Sequence, residues 1–140
     1  MKKQWHFIFL AAAAALFTLP VKAQVVVIAN PSVKADSVSK SELKDVFTGE
    51  SSSLKGNGHV VPVFQKEGTT HTEFLSSYLG ESPAAILICW RGMVMSGRAS
   101  MPKSLDSDAA MVEYVAHTAG AIGYINKAAP HDGVKELAVR

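Results

Sequence analysis

The chain has 140 residues, 48% hydrophobic and 19% charged, with 14 Lys plus Arg against 12 Asp plus Glu and a single cysteine. One cysteine excludes an intramolecular disulfide and a cysteine-rich metal site. The near balance of charge leaves no basic footprint for nucleic acid or an anionic membrane.

Lys2 and Lys3 precede an apolar run from Phe7 to Leu19, and Val21-Lys22-Ala23 places small residues at the positions a signal peptidase reads. Residues 1–23 are therefore expected to be a signal peptide, cleaved between Ala23 and Gln24. A membrane-spanning helix needs about 20 apolar residues, and this run is shorter and closed by Pro20 and Lys22. Loss of Lys2, Lys3 and Lys22 takes the basic count from 14 to 11 against 12 acidic residues, a mature net charge of −1. No cysteine directly follows the cleavage point, so a soluble periplasmic product without a lipid anchor is expected. Its length, 140 less 23 or 117 residues, suits one domain over 24–140 and leaves no room for a second lobe.

In chain order, Val25 to Ile28 reads as a strand buried on both faces and ended by the turn Asn30-Pro31-Ser32. Ser39 and Glu42 form a capping box for a helix whose apolar side is Leu43, Val46 and Phe47, with Gly49 as its stop. Glu50 to Gly58 is polar and rich in Gly and Ser, a surface loop. His59 to Gln65 predicts a strand, with Pro62 marking an edge or a bulge. A helix from about His71 to Leu79, carrying Phe74, Leu75 and Tyr78 and stopped by Gly80, follows. Ser82-Pro83 opens another, running to about Met95 and burying Ile86, Trp90 and Met93. Gly97 to Leu105 is a loop, and Asp106 or Ser107 caps a helix bearing Met111, Val112 and Val115 and ended by Gly120. Ala121 to Ile125 and Leu137 to Val139 read as the last strands. Strands separated by helices predict an open α/β sheet, mixed in direction and flanked by helices on both faces.

The candidate site is the turn from Lys66 to His71. A strand ends there, the chain turns at Gly68, and Thr70 with Glu73 makes a second capping box, so amides of Gly68, Thr69, Thr70 and His71 face outward at a positive helix end. Such ends take phosphate, sulfate or carboxylate. Lys66 and Arg98 are the candidate charge partners. The remaining histidines show no metal-ligand spacing, Cys89 lies in an apolar run, and Ser51 to Ser53 lack a nucleophile frame. No metal, cofactor or enzymatic activity is expected.

Two segments, Ser39 to Gly49 and Gly120-Ala-Ile-Gly-Tyr124, resemble the second lobe of the phosphate-binding proteins of ABC transporters. The resemblance implies a single lobe of a type 2 periplasmic binding protein-like fold. In that family the turn reads Arg-x-Asp-x-Ser-Gly-Thr with a Phe four residues beyond its Thr. Aligned on Phe74, the Ser, Gly and Thr fall on Gly68, Thr69 and Thr70, while the Arg and Asp fall on Phe64 and Lys66. Two functions follow. One is an exported solute-binding-like domain for phosphate or another small anion, serving a membrane transporter or sensor, with a homodimer or partner closing the site. The other is a ligand-free interaction module on an envelope protein, using Met93, Met95 and Met101 as an adaptable apolar surface.

Overall fold

The computed structural model describes residues 24–140, so the expected leader and its cleavage site lie outside the described residues. Along the chain, β1 (Val25–Ala29), β2 (Ser37–Val38) and α1 (Lys40–Phe47) precede a short hairpin, β3 (Ser53–Leu54) with β4 (Gly58–His59). Next come β5 (Val61–Pro62), β6 (Phe64–Gln65), α2 (Thr69–Phe74) with a π-helical turn at Leu75–Leu79, and α3 (Pro83–Met95). β7 (Ser104–Leu105), α4 (Asp108–His117), β8 (Ala121–Asn126) and β9 (Lys135–Val139) complete the chain.

β1 is the middle strand of a mixed sheet ordered β2-β9-β1-β8-β5. It pairs antiparallel with β8 and β9, while β5 joins β8 and β2 joins β9 in parallel. All five β1 side chains are buried, which the β-branched run anticipates for a strand covered on both faces. Alternation sends Val25, Val27 and Ala29 into a large core with Leu43, Phe47, Phe74 and Trp90. Val26 and Ile28 face Met111 and Val115 on the opposite side. Helices α1, α2 and α3 thus cover one face and α4 the other, an open mixed α/β sheet.

Several boundaries depart from expectation. The strand expected over 59–65 divides at Val63: β5 stays at the edge of the main sheet, where Pro62 is tolerated, and β6 leaves to pair in parallel with β7. The two expected loops each hold short strands, β3 with β4 and β7. Met93 and Val112 pack against the core but stay half-buried. Ser107, through its hydroxyl, caps α4 at the Ala110 amide. The far end of α4 is held by a contact the sequence does not signal: buried Asn30 donates from Nδ2 to the Val115 and Ala116 carbonyls at 2.8 and 3.1 Å. Helix α4 closes at Thr118, so Gly120 is not its cap. It instead turns the chain into β8 at φ 76°, with the His59 carbonyl oxygen 3.2 Å from where a Cβ would stand.

These geometries separate two glycine substitutions. Gly120→Ala is expected to lower unfolding free energy by about 1–2 kcal/mol through left-handed strain and crowding. Gly92→Ala, inside α3 with nothing within 4 Å of the new methyl, is expected to raise it by about 0.5–1 kcal/mol. Urea unfolding of the chain from Gln24 onward measures both.

Candidate functional site

Tyr124 is fully buried on β8, and its ring lies flat on Phe74 with centroids 3.9 Å apart and planes at 9°. Phe47 meets both rings edge-on. This aromatic stack joins α1, α2 and β8, and it carries the Tyr124 hydroxyl to where β6 ends. There the hydroxyl accepts from the Gln65 amide at 2.8 Å and meets His71 Nδ1 at 2.5 Å. The Gln65 side chain donates to the Tyr124 carbonyl at 3.1 Å and to Asp108 Oδ1 at 2.7 Å, tying the same point to α4.

The network sets the form of His71. The Gln65 amide is a donor only, so the phenolic proton has one acceptor in reach, Nδ1 of His71. Nδ1 therefore accepts, and in the neutral ring Nε2 carries the proton. Burial lowers the His71 pKa below its ordinary value and keeps the ring neutral near pH 7. Burial likewise raises the Tyr124 pKa, an effect the Gln65 amide only partly opposes.

His71 borders a cavity of about 250 Å³ between the end of β6 and α3. Phe64, Ile86, Trp90 and Met101 supply apolar wall, and Lys66 stands at its rim. Trp90 is fixed by an indole N–H donated to the Phe47 carbonyl at 2.9 Å, and Cys89 beside it gives its thiol to the Thr48 carbonyl at 3.3 Å. Half-buried Cys89 thus acts as a packing residue.

The expected turn is present, but its cap is not the expected one. Gly68, at φ 108°, is the N-cap of α2 and no side chain bonds the helix start, so Thr70 and Glu73 form no capping box. The helix begins two residues earlier than a Thr70 cap requires, because Gly68 adopts a backbone angle that other residues resist. The first helical bond runs from the Thr72 amide to the Gly68 carbonyl, leaving the amides of Thr69, Thr70 and His71 ahead of it. His71 turns its imidazole inward, 7% exposed, and not toward an ion on the outer side of the turn. Lys66 is paired with Asp106 at 3.0 Å, both side chains exposed. Arg98 bonds Ser96 and borders a separate cleft with Thr48, Gly49 and Cys89. The structure therefore gathers Gly68 to His71 and Lys66 around one strand end and leaves Arg98 elsewhere. Among the described residues no group of three or more His, Cys, Asp or Glu is placed to hold a metal.

The arrangement of sheet and helices matches solved structures. An ABC-type phosphate transport receptor from Vibrio cholerae superposes with a TM-score of 0.62 at 14% identity, over 82% of this chain and 45% of that one. The chain shares its fold with phosphate-binding transport receptors. A putative phosphate ABC transporter substrate-binding protein with bound phosphate from Clostridium perfringens gives 0.59 at 17% identity, over 82% of this chain and 44% of that one. PstS from Borrelia burgdorferi gives 0.53 at 16%, over 83% and 47%. The chain thus spans less than half the length of each of these receptors. No family model and no curated protein matches it.

Tyr124→Phe is expected to cost about 1–3 kcal/mol, because the Gln65 amide and His71 Nδ1 lose a buried partner. A denaturation series against pH checks the His71 assignment. Because the folded-state pKa lies below the ordinary 6.5, the unfolded chain binds the proton first. Stability is then full above about pH 6.5 and falls as the pH drops through the lowered folded value. His71→Gln should lack that part of the slope.

Proposed function

We propose that residues 24–140 act as one exported, periplasmic solute-binding-like domain. It takes a small anion, phosphate or sulfate, at the amides of Thr69, Thr70 and His71 and presents it to a membrane transporter or sensor. The observation that carries this reading is the turn at Gly68: a strand ends, a glycine opens the backbone, and three successive amides precede the first helical bond. The shared fold supports a binding role over an enzymatic one. Binding is weak, since Lys66 is engaged by Asp106 and the cleft at the turn is lined by Glu73 and by no Lys or Arg. One lobe also leaves half of the ion in water, and a second copy or a partner surface would complete the enclosure.

A second reading is favoured by a different observation. The outer side of α3 and the loop after it expose Leu87, Ile88, Val94, Met95 and Met101, with Ile88 at 69% and Met95 at 88%. An apolar surface of this kind suits an interaction module docking on an envelope protein.

Amide NMR during titration with phosphate and with sulfate decides between them. On the anion reading, Thr69, Thr70 and His71 shift first, and Gly68→Ala removes the effect. No shift anywhere in residues 66–73 at saturating phosphate would leave the interaction module standing.

A further inference from the structure

We propose that the cavity beside His71 is a binding site for a small carboxylic acid with an apolar body, of the size of benzoate or phenylacetate. It is separate from the anion turn and does not depend on it. Its chemistry is mixed in a specific way. Phe64, Ile86, Trp90 and Met101 offer apolar wall, while no Asp or Glu borders the space and the one charged residue at it is Lys66. Inorganic phosphate would leave that apolar wall uncovered, and the ammonium of Lys66 is already paired with Asp106.

Two donors there have no partner among the described residues. His71 is only 7% exposed, its Nδ1 is committed to Tyr124, and its Nε2–H has no acceptor among the described residues. Among the described residues no fully buried side-chain nitrogen or oxygen is without a partner, so Nε2 is not sealed in the core, and the open space that His71 borders is this cavity. The second donor is the Ala84 amide at the start of α3. Pro83 has no N–H, the Ala85 amide is capped by the Ser82 hydroxyl, and the Ile86 amide bonds the Ser82 carbonyl. Among the described residues nothing accepts from the Ala84 amide, and Ala84 lines the cavity. The neutral imidazole N–H and the backbone N–H together suit a carboxylate, while the ring of the acid lies against Trp90; Lys66, paired with Asp106, stands at the rim. Size agrees: an apolar cavity of about 150 Å³ holds benzene, so about 250 Å³ holds a ring with a short acid group.

Trp90 makes the test direct, because the only other tryptophan, Trp5, lies in the expected leader. Tryptophan fluorescence of the chain from Gln24 onward is followed during titration with benzoate, phenylacetate, the neutral methyl benzoate and phosphate. A saturable change with the two acids at millimolar concentration is expected. Methyl benzoate should bind about tenfold more weakly, the loss of one charge-assisted hydrogen bond, and phosphate should leave Trp90 unchanged. Ala84→Leu, at an exposed position on the cavity wall, should remove the response with the fold intact by circular dichroism. His71→Phe should weaken the acids and leave methyl benzoate unaffected. Absence of a saturable change, or an equal change in Ala84→Leu, would overturn the proposal. So would equal affinity for acid and ester. Phosphate shifts at residues 69–71 are read separately, so either site can fail without the other.

Discussion

The hydroxyl of Tyr124 is the point on which the candidate site depends. It is delivered by a ring stacked on Phe74 and edged by Phe47, and it satisfies the first backbone amide past Phe64 while fixing the tautomer of His71. A buried hydroxyl with two good partners is stabilising, and one with none costs several times as much as the bond gains. The three elements that meet here, β6, α2 and β8, are therefore held in a single arrangement. Gln65 extends the constraint across to α4 through Asp108.

That constraint explains where the chain leaves its main sheet. β5 still pairs with β8, yet two residues later β6 pairs with β7, and the change of partner opens the space between β6 and α3. In that space the polar side chains are His71, Gln65, Lys66 and Ser104, and Ala84 adds a backbone amide. The outer side of the turn is different, exposed and polar, with Glu73 standing beside Gly68, Thr69, Thr72 and Ser76. One strand end thus presents two faces of opposite character, an apolar one inward of His71 and a polar one at Gly68.

Much of the fold is legible in the sequence because it is local. The Ser39 and Glu42 capping box, the Ser82-Pro83 helix start and the β-branched run at Val25 are written in adjacent residues, and each appears as read. Gly68 to His71 is legible as a turn, but its cap is misread, since Thr70 is a better capping residue by type and Gly68 wins by backbone angle. The Tyr124 network is not legible, because its partners lie 53 and 59 residues away and nothing in their spacing pairs them. Asn30 reads as part of a turn for the same reason. Its grip on the end of α4 spans 85 residues. His71 is a residue whose type suggests an exposed charge and whose packing makes it a neutral internal donor.

The central claim is that Tyr124 donates to His71 and leaves the Nε2–H facing the cavity. Nitrogen-15 NMR of the imidazole ring at pH 7, correlating the ring nitrogens with their carbon-bound protons, measures this directly. The expected result is a neutral His71 with a protonated Nε2 and an unprotonated Nδ1. A ring protonated at Nδ1, or an imidazolium at that pH, would contradict it.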